Sequence, residues 1–166
     1  MSKAVLIAGG NIGDLEKRLP IAVKFITART GIVLATSDIF RSKSWGFEGD
    51  DFHNQVIVLE TTRTPEQLLG SLQAIERDFG RDVKAERREK RLTKQKYVSR
   101  TMDIDILFYD DIVMNTRELK IPHPKIAKRM FVLEPAMQVI PDMVHPVTGL
   151  TIRQMYEKLK AKEQKQ

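Results

Sequence analysis

Residues 101 to 110, TMDIDILFYD, constrain the fold more than any other stretch of the chain. Met102, Ile104, Ile106 and Phe108 alternate with Thr101, Asp103, Asp105 and Leu107, the period-two pattern of a β-strand. Alternation sends the apolar set into a core on one face. It holds Asp103 and Asp105 on the other, about 6.6 Å apart along the backbone at ~3.3 Å per residue. Two adjacent carboxylates repel unless something positive sits between them. Hard cations with oxygen ligands meet that need, above all Mg²⁺ carried in with phosphates, and two such ions ~3.5–4 Å apart could share the pair. The competing reading is a solvated strand face, the ordinary fate of an acidic run.

The segment that leads into this strand carries the charge of the whole chain. Among 166 residues there are 28 Lys and Arg and 22 Asp and Glu, a formal net charge of +6. Residues 81 to 100 hold nine of the basic residues (Arg81, Lys84, Arg87, Arg88, Lys90, Arg91, Lys94, Lys96, Arg100) against Asp82, Glu86 and Glu89, so the excess lies there and the rest of the chain is neutral. Such a run can be a solvated loop or a non-specific nucleic-acid patch. Its position beside the paired aspartates favours a long mobile loop able to fold arginines over a metal-bound triphosphate. Arg81 and Arg100, at its two ends, are the best placed for this because the flanking elements fix them.

Composition narrows the remaining classes. At 42% hydrophobic and 30% charged the chain suits one soluble domain over residues 1–166, with no linker or repeat dividing it. The absence of cysteine rules out disulfides, thiolate catalysis and Cys-ligated metal sites. No apolar run reaches the ~20 residues of a membrane span, and the apolar part of MSKAVLIAGG is too short for a secretory signal, so a cytoplasmic protein is expected.

Residues 3 to 8 read as a buried strand ending at Gly9 and Gly10. A helix capped by Asp14 and stopped at Gly31 follows, with a kink or late start expected at Pro20. Strands are predicted over 32–41 and 52–62. The clearest helix is TPEQLLGSLQAIERDFGR, where Thr64 and Gln67 fit a capping box, Pro65 takes the first helical position, Leu68, Leu72, Ile75 and Phe79 form a stripe, and Gly80 ends it. Beyond residue 120 come a loop, a helix and a C-terminal helix. Strands and helices mix without regular βαβ alternation, which indicates an α+β sheet with helices on its faces.

Two further clusters could carry chemistry. His123 stands between Pro122 and Pro124, so its backbone is stiff, and Arg129 and Phe131 follow. A structural hydrogen-bonding histidine and a core phenylalanine are the plain alternatives. Residues 42 to 54, SKSWGFEGDDFHN, combine loop chemistry with Trp45, Phe47 and Phe52, and aromatics on a loop can stack a flat heterocycle while Asn54 meets its edge. A loop folding on its own hydrophobes explains the same residues. There is no G-x-x-x-x-G-K-[ST] cradle, no G-x-G-x-x-G pattern and no G-x-S-x-G elbow.

In order along the chain, GGNIGD, FHNQVIVLET, IERDFGR, SRTMDIDILFYD and IPHPKIAKRMFVLEPAMQVIP resemble the 6-hydroxymethyl-7,8-dihydropterin pyrophosphokinase family, the signature being R-T-x-D-x-D-I-L followed by L-x-I-P-H-P and R-x-F-V-L-x-P. The resemblance implies transfer of the pyrophosphoryl group of ATP to the hydroxymethyl oxygen of a pterin in folate biosynthesis, with release of AMP. It implies an α/β/α sandwich on a ferredoxin-like core with a mainly antiparallel sheet. It assigns Asp103 and Asp105 to two Mg²⁺ ions, Arg81 and Arg100 to the phosphates, and His123, Arg129, Glu76 and Ile106 to ATP. Asn54, Phe52 and Phe131 go to the pterin, with backbone contacts from the loop Ser42 to Gly46, which holds Ser44 and Trp45. Tyr97 stands where the family commonly has a tryptophan capping the site, and Phe52 where a tyrosine is frequent. ATP and the pterin are the expected partners, with neither nucleic acid nor membrane. A nucleic-acid module on the same fold would explain the basic segment and leave the aspartates unexplained. Another ATP-dependent transferase with the same metal site and a different acceptor is the second alternative.

Overall fold

A five-stranded antiparallel sheet forms the middle layer of the protein. The computed structural model describes residues 1–43, 51–81, 83–93 and 101–165. Strands β1 (Ser2–Gly10), β2 (Ile32–Thr36), β3 (Phe40–Ser42), β4 (Phe52–Thr61) and β5 (Asp103–Tyr109) pair in the order β2-β4-β1-β5, with β3 also on β4. Helix α1 (Leu15–Arg29) connects β1 to β2 and α2 (Pro65–Asp78) connects β4 to β5, each crossing over an intervening strand. This is the split βαβ arrangement of a ferredoxin-like core.

Both faces of the sheet are covered. Ala4, Leu6 and Ala8 of β1, Ile57 and Leu59 of β4, and Ile104 and Ile106 of β5 pack with Leu19, Ala22 and Ile26 of α1 and Leu68, Leu72 and Ile75 of α2. The opposite face, with Val5, Ile7, Val56, Val58, Leu107 and Phe108, receives α4 (Met130–Val139) through Val132, Leu133 and Ala136 and α5 (Ile152–Gln164) through Ile152 and Met155. Each of the Val, Leu, Ile, Met and Phe side chains among these stabilises by roughly 1.5–3 kcal/mol when fully buried. The face carrying Asp103 and Asp105 is therefore core further along the strand, not the solvated face that alternation alone implies. A bulge explains the break in period. Val5 pairs with Phe108 and Leu6 with Ile106, so Leu107 is the extra residue, and it and Phe108 enter the same core.

The predicted strand over 32–41 is two strands. β2 and β3 share one edge of β4, at Ile57–Glu60 and Phe52–Asn54. Between them Ser37 replaces a ladder residue: its N–H donates to the Val56 carbonyl at 2.9 Å and its Oγ accepts from the Val56 N–H at 2.9 Å. Helix α1 runs through Pro20 as one helix, and Asp14 occupies its N-cap without a side-chain capping bond. Gly31 is not a left-handed stop. It is required because a Cβ there would lie 2.1 Å from the Glu60 carbonyl oxygen, where the chain enters β2 against β4.

Helix α2 has the predicted capping box, with Thr64 Oγ1 accepting from the Gln67 N–H and Gln67 returning the bond to the Thr64 N–H. The basic segment differs from the expected loop. Val83–Thr93 forms helix α3, and its sequence, VKAERREKRLT, consists mostly of strong helix formers. Strands β6 (Met114–Asn115) and β7 (Lys120–Ile121) make a small separate hairpin, and a 3₁₀ turn (Ile126–Lys128) precedes α4. Among the described residues no helix is long and apolar enough to cross a membrane.

Candidate active site

The end of β1 and the starts of β4 and β5 meet at one end of the sheet. Gly9 pairs with Asn54 on one side and with Asp103 on the other, and Ile7 pairs with Asp105. Cross-strand partners point to the same face, so Asn54, Asp103 and Asp105 share the α4 side of the sheet. At about 4.8 Å per strand the Asn54 and Asp103 backbones stand roughly 10 Å apart. Asn54 is buried, and its amide occupies the space a side chain on Gly9 would need: a Cβ at Gly9 would lie 2.1 Å from Asn54 Oδ1.

The C-terminus of α2 supplies the next groups. Gly80 takes a φ of +89°, the Gly80 N–H donates to the Arg77 carbonyl at 2.9 Å, and the Arg81 N–H donates to the Glu76 carbonyl at 3.2 Å. This is a Schellman closure, and it turns Arg81 back over the last turn. The Arg81 guanidinium then spans two carboxylates, with Nη1 2.9 Å from Glu76 Oε2 and 3.1 Å from Asp103 Oδ1. Glu76 Oε2 also accepts from the Ile104 N–H at 2.8 Å. Burial, then the neighbouring Asp103 charge, pushes the Glu76 carboxyl up to about 8, against the opposing pull of the Ile104 N–H and Arg81.

On the other side, the His123 N–H donates to the Leu107 carbonyl at 3.0 Å, tying the turn after β7 to β5. His123 Nδ1 accepts from the Lys125 N–H at 3.2 Å, so the neutral ring carries its proton on Nε2 and presents a donor there. Burial and then Arg129 lower this imidazole to about 4, and Asp103 pulls the other way, so His123 is neutral at pH 7. The Arg129 guanidinium lies 5.4 Å from the centroid of the Phe131 ring, a cation–π contact that fixes both side chains at the start of α4.

The fold thus brings Asn54, Arg81, Asp103, Asp105, His123 and Arg129 to one region, and Phe52 pairs with Ser42 across β3 and β4 beside it. Glu76 is 4% exposed, and its hydrogen bonds go to the protein. The Ile106 side chain, also 4% exposed, enters the α1 and α2 core on the face opposite the aspartates, which leaves only its backbone to meet a ligand. Ser44, Trp45, Tyr97 and Arg100 lie outside the described residues. Sequence reasoning missed Gly9 and the Ile104 N–H. The glycine pair ending a strand was the available signal for the first; the second has none, because it depends on α2 docking on β5.

Asp103 and Asp105 offer oxygen donors on one face at the uncovered end of the strand, with the Asp103 side chain 31% exposed. Among the described residues no group of three or more His, Cys, Asp or Glu side chains could hold a metal ion. Two carboxylates alone suit a cation that brings further oxygen ligands from a phosphate, as Mg²⁺ does.

Residues 5–141 match the sequence profile of the 7,8-dihydro-6-hydroxymethylpterin-pyrophosphokinase (HPPK) family. A 2-amino-4-hydroxy-6-hydroxymethyldihydropteridine pyrophosphokinase from Synechocystis is 36% identical over 157 residues, 94% of this chain and 75% of that protein. The folic acid synthesis protein fol1 of Pneumocystis carinii is 36% identical over 160 residues, and there the match spans 95% of this chain and 20% of the fungal protein. A Plasmodium falciparum HPPK-DHPS crystal structure superposes with a TM-score of 0.76 at 17% identity, covering 99% of this chain and 44% of that one. That likeness concerns the fold.

Proposed function

The chain belongs to the 7,8-dihydro-6-hydroxymethylpterin-pyrophosphokinase family, and on that premise we propose that it transfers the pyrophosphoryl group of ATP to 6-hydroxymethyl-7,8-dihydropterin in folate biosynthesis. The hydroxymethyl oxygen attacks the β-phosphorus in line, the bond from that phosphorus to the α-phosphate bridging oxygen breaks, AMP leaves, and the hydroxyl proton passes to solvent water. The observation that carries this reading is the row Asn54, Gly9, Asp103 across three hydrogen-bonded strands. It sets a group suited to a heterocycle edge two strands from a group suited to metal-bound phosphates.

In this reading Asn54 pairs with the pterin edge, and Phe52 and Phe131 take its two faces. Asp103 and Asp105 would hold Mg²⁺, two ions with ATP bound, and the metal when bound supplies positive charge to the phosphate oxygens. Arg81, anchored by Glu76 beside Asp103, would add positive charge next to the phosphates, with Arg100 as its counterpart across the basic segment. His123 donates from Nε2 as a neutral ring, adding a hydrogen bond without a proton to lose at pH 7. Arg129 complements the nucleotide charge. Acceleration then comes from alignment and charge neutralisation, with no side chain required as a general base.

The test is incubation of the protein with MgATP and 6-hydroxymethyl-7,8-dihydropterin. AMP should form in proportion to pterin consumed, and only when both substrates are present. ATP consumption that yields ADP, or AMP formation indifferent to the pterin, would reject the reading.

A further inference from the structure

We propose that Glu76 is a positioning residue for this reaction: from beneath the edge of the sheet it locks β5 and Arg81 together through hydrogen bonds, and it does not itself meet ATP. The inference rests on the reading that Asp103 and Asp105 hold Mg²⁺.

Among the described residues β5 is the last strand of the sheet, with β1 as its neighbour on the inner side. Backbone N–H groups along the outer side of such a strand have no strand to bond. The Ile104 N–H, between the two aspartates, is taken instead by Glu76 Oε2 at 2.8 Å. The same oxygen is 2.9 Å from Arg81 Nη1, which in turn lies 3.1 Å from Asp103 Oδ1. The Glu76 backbone holds the same arginine, accepting the Arg81 N–H at 3.2 Å in the closure formed by Gly80. One residue therefore binds the strand backbone between the metal-holding carboxylates, the guanidinium beside them and the main chain of that arginine. At 4% exposure Glu76 is sealed from solvent, so a nucleotide phosphate or ribose cannot reach it without displacing these partners.

The hydrogen-bond pattern makes a specific demand on substitutions. Both donors converge on one oxygen, so a glutamine of the same length can accept both through its amide oxygen. Asp103 is in hydrogen-bond contact with the Glu76 carboxyl, and an amide N–H can make that contact too. Alanine removes every side-chain contact and leaves the Ile104 N–H unpaired at the strand edge.

The test compares wild type, Glu76→Gln, Glu76→Ala and Asp103→Ala by two measurements. One is the affinity for the Mn²⁺ complex of α,β-methylene-ATP, read by water-proton relaxation, with the affinity for the metal-free nucleotide, read by titration calorimetry in chelator, as comparison; the other is steady-state kinetics with Mg²⁺. Glu76→Ala should weaken binding of the Mn²⁺ complex and lower kcat, each about 10- to 100-fold, the scale expected when a partner of a metal ligand is removed, while KM for the pterin stays within about twofold. Glu76→Gln should stay within about threefold of wild type in both. If the alanine variant does not fold at the assay temperature, Glu76→Asp replaces it. Its carboxylate is one methylene too short to reach Ile104, and it should show the alanine behaviour.

Wild-type affinity for the Mn²⁺ complex in the Ala or Asp variant overturns the proposal, as does a Gln variant no better than Ala. A raised KM for ATP with unchanged kcat and unchanged preference for the metal complex would instead mark Glu76 as a direct nucleotide contact, and also overturns it. Asp103→Ala separates the two levels. If it loses the preference for the Mn²⁺ complex while Glu76→Ala keeps it, only the positioning role is wrong. If Asp103→Ala itself keeps the preference, the metal reading fails and the inference with it.

Discussion

Gly9 lies across the β1–β4 ladder from Asn54, so close that a Cβ on Gly9 would stand 2.1 Å from Asn54 Oδ1 and 2.4 Å from the His53 carbonyl oxygen. Gly9→Ala should therefore push the Asn54 amide aside and strain the strand pair at once. The expected loss is about 1–3 kcal/mol of stability, the usual cost of overpacking. Pterin affinity, followed by the ligand's own fluorescence, should fall further than the affinity for MgATP. Equal losses for both ligands would mean that the strain spreads through the sheet end and is not focused on Asn54.

Asp103→Asn and Asp105→Asn should each lower kcat by about 100-fold or more, the scale of removing one preorganised electrostatic group. The fold should persist, because both side chains sit at the uncovered end of their strand, and Asp103 is 31% exposed. Circular dichroism melts together with AMP release check both halves. Near-wild-type turnover in either variant would defeat the assignment of the pair to the metal.

Gly80→Ala should cost about 1–2 kcal/mol, because φ +89° at this position is a conformation that side chains with a Cβ rarely adopt. Space is not the obstacle, since a Cβ there meets nothing within 4 Å. The kinetic effect should fall on kcat through Arg81, with KM for the pterin little changed. Gly80→Asn, which tolerates the left-handed region better, should be milder on both counts.

Glu76 and His123, the two perturbed groups of the candidate site, give stability opposed dependences on pH. The Glu76 carboxyl is raised from 4.5 to about 8, so between these values the native state holds a proton that the unfolded chain has released, and stability declines as pH rises. His123 is lowered from 6.5 to about 4; there the unfolded chain binds the proton, and stability declines as pH falls through that window. In metal-free buffer the melting temperature of wild type should drop between pH 6.5 and 8 more steeply than that of Glu76→Gln. His123→Asn should flatten the acid side of the profile. A parallel alkaline limb in Glu76→Gln would show that other groups produce it.

Local chemistry made much of this architecture legible. Thr64, Pro65, Gln67, the apolar stripe and Gly80 define α2 from within the segment Thr64 to Gly80, because caps and periodicity act over one or two turns. Asp103 and Asp105 are likewise legible, since i and i+2 on a strand share a face whatever packs behind it. What stayed hidden depends on contacts between distant segments. Alternation could not reveal that Leu107 and Phe108 are both core, because the bulge arises from pairing with Val5 and Leu6. The Ser37 break in the edge strand needs β4 opposite it. The resemblance marks Glu76 as an ATP residue, but its bond to the Ile104 N–H exists only once α2 docks on β5. For α3, the scarcity of apolar anchors outweighed a run of strong helix formers, and propensity was the better guide to local conformation.

The register of β1 with its two neighbours has a last consequence. Gly9 fixes both ends of the row from Asn54 to Asp103, so the backbones of these two residues stand a whole number of strand spacings apart, set by backbone hydrogen bonds. Such a span does not drift with side-chain motion or with substitutions elsewhere in the core. A one-residue slip of either flanking strand would turn Asn54 or both aspartates to the opposite face, so their separation can change only by losing the site altogether. On the proposed reading the sheet acts as a gauge block, and chains that keep this pairing have little latitude to accept an acceptor whose alcohol stands at a different reach from its ring.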